Sequence, residues 1–233
     1  MNQGHSYPGK ELEAMSHAVN YHRWIVDELK PCLGNNAVEV GAGIGDLSRL
    51  LLETPVRKLF AFEPSSKLCG ALRKNLEDEP RATVFQDFVN LDLLQDEVSS
   101  VLYVNVLEHI EDDRKELLDV SARVSPGTAL LIFVPALSWL FSEADRSVGH
   151  FRRYHMKPLT RLVEECGFRV EKARYFDLVG VAAWYVNFVL MKNTFKPGSV
   201  SFYDRFIVPP MRLFEKAVRP PVGKNILLVA RKA

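Results

Sequence analysis

The chain has 233 residues, 47% hydrophobic and 25% charged, a composition that suits one large globular domain with a real core and excludes a disordered chain. Thirty Lys and Arg stand against 29 Asp and Glu, a formal charge of +1, so no global field draws the protein to a polyanion and no nucleic acid is expected as a partner. Cys32, Cys69 and Cys166 have neither metal-site spacing nor the density of a disulfide framework, and read as reduced thiols of a cytoplasmic protein.

The first ten residues are polar and lack the apolar stretch of a signal peptide. Residues 11–33 read as a first helix, with Met15, Val19, Ile25, Val26 and Leu29 near helical spacing and Pro31 and Gly34 ending it. A strand at 37–40 leads through glycines into a helix at 46–53, and a strand at 58–62 into a helix at 65–76 that Ser65 is placed to cap. Strands follow at 81–85 and 100–104, then a helix at 112–124 stopped by Ser125-Pro126-Gly127. The strand at 128–134 is almost continuously apolar, as a strand covered on both faces must be. A helix at 158–166, ended by Gly167, and a sixth strand at 168–176 complete the alternation.

Residues 177–223 break this rhythm. They hold aromatic-rich helical pieces interrupted at Lys196-Pro197-Gly198 and Pro209-Pro210 and closed by Pro220-Pro221. Their most apolar stretch, 179–191, is too short for an ordinary membrane span, so no transmembrane segment is expected. The last strand, 225–231, is placed antiparallel beside the sixth. The pattern predicts a doubly wound α/β fold with a seven-stranded, mostly parallel sheet. It divides one domain, residues 1–233, into an N-terminal helical cap (1–34), a core (35–176), a helical insertion (177–223) acting as lid or homodimer interface, and the last strand (224–233).

Gly41, Gly43 and Gly45 directly follow a strand and precede a helix, where backbone without side chains permits a tight turn and close approach of a ligand. Three glycines alone also fit a plain strand-to-helix turn. The spacing adds information: the dinucleotide fingerprint is G-x-G-x-x-G, whereas Glu39-Val40-Gly41-Ala42-Gly43-Ile44-Gly45 is acidic-x-G-x-G-x-G. That form resembles motif I of the class I S-adenosylmethionine-dependent methyltransferases. The resemblance implies a Rossmann-like methyltransferase fold and S-adenosylmethionine as cofactor, with the turn against its methionyl portion and Glu39 near its ammonium group. Charge logic agrees, because this cofactor carries an ammonium and a sulfonium and has no pyrophosphate.

Glu63, followed by Pro64, closes the second strand, where a carboxylate can accept both hydroxyl hydrogen bonds of a ribose. By the same resemblance Asp87 takes the position of an adenine contact and Phe88 that of its apolar cover, although Asp after a strand is also ordinary turn chemistry. Asn105-Val106-Leu107-Glu108-His109-Ile110 at the end of the fourth strand resembles the family motif found there, which implies that Asn105 and Leu107 line the cofactor cleft while Glu108 and His109 face the substrate. A capping Glu and a core His read the last pair equally well.

The resemblance extends to Asp145-x-x-x-Gly149-His150-x-Arg152-Arg153-Tyr154. His150, with His109 as second candidate, is the expected general base on a hydroxyl or amine. Arg152 and Arg153 could orient a carboxylate or phosphate. The plain alternative is a salt-bridged loop with Asp145 paired to an arginine and Tyr154 packed beneath. His5, His17, His22 and His155 have no ligand spacing with carboxylates or cysteines, so no metal is expected. Trp184 and the other aromatics of the insertion, with Tyr21 and Trp24 of the first helix, are candidates to wall an apolar substrate pocket. The expected reaction is methyl transfer to an O, N or C nucleophile of a small, partly apolar organic acceptor. Competing readings are a non-methylating cyclase or binding subunit that retains the cofactor, and an NAD-dependent oxidoreductase, which the glycine spacing disfavours.

Overall fold

The computed structural model describes residues 18–193 and 197–233. His5 and the part of the predicted first helix before residue 18, with Met15 and His17, lie outside them, as does Lys196. Seven strands form one sheet in the order β3-β2-β1-β4-β5-β7-β6. They are β1 (Asn36–Val40), β2 (Lys58–Phe62), β3 (Ala82–Phe85), β4 (Ser100–Val104), β5 (Ala129–Pro135), β6 (Phe168–Phe176) and β7 (Asn225–Lys232). β1 through β5 pair in parallel, and β7 runs antiparallel between β5 and β6. The last strand is therefore antiparallel beside the sixth, as its sequence position predicts, and it also fills the space beside β5.

Period-2 alternation along the strands builds two cores from one sheet. Leu59, Ala61, Leu131, Phe133, Leu227 and Val229 face α1 (Val19–Leu29) and α2 (Asp46–Leu52). Phe60, Phe62, Ile132, Val134, Leu228 and Ala230 face α4 (Asp113–Ser121) and α6 (Met156–Glu165). Helix α3 (Ser66–Asn75) begins at Ser65, whose hydroxyl accepts the Leu68 N–H, and Gly167 ends α6 with φ of 86°. Edge strand β6 carries Arg169, Glu171, Lys172 and Arg174 and an irregularity between Val170 and Lys172, which discourages pairing with another chain.

The prolines of the late segment act differently from the sequence reading. Helix α7 (Leu178–Trp184) runs on as a π-helical turn over Tyr185–Leu190. After it, α8 (Pro197–Phe202), a π-helical turn at Tyr203–Ile207 and α9 (Val208–Ala217) follow without a loop between them. Pro209 and Pro210 sit in the first turn of α9, directly after the π-helical turn, so the pair lies within continuous helical backbone rather than breaking it. A further short helix, α5 (Glu143–Ser147), which the sequence reading lacks, is closed by reciprocal bonds between Ser142 and Asp145.

Candidate active site

The chain runs outward from β1 to β2 and β3, then crosses back to β4 on the other side of β1. Open α/β sheets bind ligands at such a switch point, beyond the carboxyl ends of the strands. A cavity of about 390 Å³ lies there. Of the predicted site residues, Tyr21, Glu39, Gly41, Gly43, Asn105, Glu108, His109, His150, Arg153 and Trp184 line it.

One wall is the turn after β1. Gly41 has φ of 66°, and a Cβ on it would stand 2.7 Å from Cγ2 of Val106, so only glycine lets this backbone pass so close to its neighbour. Gly43 donates its N–H to Glu63 at 2.9 Å, and Ser65 donates its own to the other Glu63 oxygen at 2.8 Å. Burial pushes the Glu63 carboxyl up, with those two bonds opposing it. Glu39 is buried and accepts from the Ser48 hydroxyl at 2.5 Å; burial pushes its carboxyl up to about 8, against that bond and with help from the nearby charge of Glu63. Asn105 takes a left-handed φ of 54°, strain that a short polar side chain tolerates and that marks the strand end as specialised.

A second part of the site, centred on Asp145, is polar. The Asp145 carboxylate is fully buried and receives four bonds, from Ser142 N–H and hydroxyl at 2.8 and 3.0 Å, from Arg153 Nε at 2.8 Å and from His150 Nδ1 at 2.9 Å. Burial alone would raise its carboxyl, but His150 and Arg153 outweigh that and hold it below the usual range. A carboxylate at Nδ1 leaves Nε2 of His150 as the lone pair facing the cavity, 3.8 Å from Glu108 Oε1. Both Glu108 oxygens are buried without a hydrogen-bond partner, and burial pushes this carboxyl up to about 8. The His109 ring meets His150 edge-on at 4.6 Å, and burial first, then His150, lower its pKa to about 4, so it is neutral near pH 7.

Glu108, His109 and His150 each bring a ligand atom to within 4.8 Å of the others, a donor set able to hold a transition metal. Spacing along the chain could not show this group, because two separate loops assemble it. The salt-bridged loop and the cavity-facing histidine are likewise not alternatives: Arg153 pairs with Asp145 and His150 still lines the cavity.

Other predicted residues lie around this centre. Gly45 caps α2, and Leu107 is buried beneath the β4 loop, where its carbonyl meets the Tyr154 hydroxyl at 3.1 Å. Tyr154 also bonds Asp113 at 2.8 Å, and Arg152 pairs with Asp113 at 2.8 Å, outside the cavity lining. Pro64, Asp87 and Phe88 are exposed at the ends of β2 and β3. Tyr203, one of the insertion's aromatics, also lines the cavity, and sequence reasoning missed Asp204, Lys224 and Asn225, which line it too. Asn225 accepts from the Tyr21 hydroxyl at 3.0 Å, and the Lys224 ammonium lies 4.7 Å from the Tyr21 ring centre and 3.3 Å from Asp177. No local signal marks them, because their partners lie far along the chain.

The sheet order, a glycine cradle that a Cβ would block and two carboxylates suited to an ammonium and a ribose define a class I methyltransferase type of site, and these residues fit S-adenosylmethionine. A family model described as a methyltransferase domain matches residues 13–173. The chain belongs to this family and is an S-adenosylmethionine-dependent methyltransferase. Solved structures share the fold at low identity. The Haloferax volcanii protein in complex with the Trm112 methyltransferase activator superposes with a TM-score of 0.63 at 12% identity, over 97% of each chain. The glycopeptide N-methyltransferase MtfA, complexed with S-adenosylmethionine, gives 0.58 at 14% identity, over 93% of this chain and 94% of its own. The [4+2]-cyclase SpnF gives 0.58 at 12% identity, over 92% and 80%.

Proposed function

We propose that this methyltransferase moves the methyl group to an O, N or C nucleophile of a small organic acceptor with apolar character. One observation carries the reading: the same cavity is lined by the glycine turn, by Glu108 and the Asp145-bonded His150, and by Tyr21, Trp184 and Phe188. The cofactor supplies a methyl group on a sulfonium, already a good leaving group, so the protein's main tasks are alignment and exclusion of water. Glu39 and the turn after β1 hold the methionyl end, and Glu63 holds the ribose, with Asp87 and Phe88 toward the adenine.

Asp145 orients His150, whose Nε2 takes the proton of an acceptor hydroxyl or amine; His109, neutral and packed edge-on at 4.6 Å, supports that ring. Arg153 stacks over Trp184 at 4.3 Å and supplies the positive charge that Glu108 faces, which supports proton handling rather than metal chemistry here. Residues 177–223 serve as a lid over an N-terminal cap and a core. The three cysteines are free, in keeping with a cytoplasmic location, and the near-zero net charge favours no nucleic acid partner.

Incubation with methyl-labelled cofactor and candidate acceptors tests the reading. His150→Ala is expected to slow transfer by about a hundredfold or more while leaving S-adenosylhomocysteine affinity intact, with no loss on adding a chelator. Cofactor that binds but never surrenders its label would overturn methyl transfer in favour of a non-methylating role, such as the cyclase activity named for SpnF.

A further inference from the structure

The helices between residues 178 and 217 have two unlike faces. The inner one lines the cavity through Gly180, Trp184, Asn187, Val200 and Tyr203. Buried acids fasten it: Asp204 accepts the Asn20 and Tyr21 N–H groups at 3.0 and 2.8 Å, Glu215 accepts the Leu178 N–H at 2.9 Å, and Asp177 accepts the Tyr203 hydroxyl. The outer face is apolar. Leu190, Met191, Phe202, Phe206, Leu213 and Phe214 are 59, 64, 61, 56, 72 and 46% exposed. Phe202, Phe206 and Leu213 recur at near-helical spacing, with the first two rings 5.1 Å apart, so they share one side.

The charges among these side chains have one sign. Of the described residues from 178 to 222, the acids are Asp204 and Glu215, both buried, whereas Lys192, Arg205, Lys216 and Arg219 are exposed. The Arg205 guanidinium lies 5.7 Å from the centre of the Phe206 ring. Arg212, beside Leu213, is matched by Asp27 of α1 at 2.6 Å; an apolar helix face whose other exposed charges are cations is complementary to an anionic lipid interface. A two-fold contact with a second copy would instead set these cations against their own equivalents. No helix among the described residues is long and apolar enough to cross a membrane, so the mode that fits is lying on the surface.

We propose that the outer face formed by residues 185–193 and 198–222 docks the protein on an anionic phospholipid bilayer. Of acceptors with apolar character, docking favours an amphiphile held in that bilayer, a consequence that rests on the methyl-transfer reading above. Asn187 and Ser199 of the cavity wall lie within a helical turn of Leu190 and Phe202 on the docking face, so the cavity rim and that face are continuous along the chain.

Vesicle flotation with the full chain tests docking without any turnover. The expected result is co-flotation with phosphatidylcholine vesicles doped with phosphatidylglycerol, falling about tenfold or more with phosphatidylcholine alone or in high salt. Phe206→Glu with Leu213→Glu should abolish flotation while S-adenosylhomocysteine affinity stays unchanged. Arg205→Gln with Lys216→Gln and Arg219→Gln, which leave the apolar side chains in place, should remove the preference for the anionic lipid. Absence of flotation with either lipid, or undiminished flotation of both variants, overturns the proposal. So does a stable dimer in light scattering that Phe206→Glu and Leu213→Glu dissociate, because the face would then belong to a second copy. Docking that fails while labelled methyl still reaches a soluble acceptor leaves the methyl-transfer reading standing.

Discussion

Glu39 is a carboxylate that the fold keeps protonated until something positive arrives. Burial raises it to about 8, so near neutral pH the free protein holds a proton there. In the binding mode proposed above the cofactor's ammonium would lie beside it and favour the ionised form, so that binding expels the proton. Calorimetry at pH 7 in buffers of different ionisation enthalpy is expected to show release of about one proton per cofactor bound. Glu39→Gln should bind more weakly and release none; an equal release from the variant would place the ammonium elsewhere. The same residue shows what a sequence can carry. Its distance from Gly41 along the chain identified the cofactor, but its protonation depends on Ser48 and Glu63, which only the folded turn brings near.

Elements differ in how far the sequence reveals them. β2, β4 and β6 have the boundaries that their apolar patterns predict, because each strand's burial is written in its own residues. The segment after β6 is another matter. Its helices are positioned by contacts to residues far away, and the decisive one is Asp204, which caps the start of α1 from across the molecule. Helix α1 has no capping side chain of its own, so this carboxylate satisfies donors that would otherwise be orphaned. Asp204→Ala is expected to cost about 1–2 kcal/mol of stability. Amide exchange over residues 19–22 and 197–207 should rise together, since the same bonds hold both. Exchange that rises in α1 alone would mean that the late helices are held by their apolar contacts, and the latch would have to be abandoned.

The whole molecule balances buried carboxylates of opposite tendency, and this sets its response to pH. Glu39 and Glu108 are both pushed up to about 8, above the ordinary carboxyl value of about 4.3 in an unfolded chain. Between those values the native state binds more protons than the unfolded one, so the stability these groups contribute is complete at the acid end and declines as pH rises toward 8. Asp145 is held low by His150 and Arg153, and its contribution is lost only as pH falls below the ordinary Asp value of about 3.9. His109, held down to about 4, works the other way below the ordinary His value of about 6.5 and offsets part of this slope, so the free protein should melt progressively lower from about pH 6.5 to 8. In the proposed binding mode the ammonium of saturating S-adenosylhomocysteine would compensate an ionised Glu39 and not Glu108, so the ligand is expected to raise the melting temperature at every pH and to flatten the slope without abolishing it. Melting curves of the free and bound protein across that range check the sign directly. A free protein whose stability rises from about pH 6.5 to 8 would show that Glu39 and Glu108 are ionised in the fold, and the polar wall would then need a cation other than Arg153 to balance it.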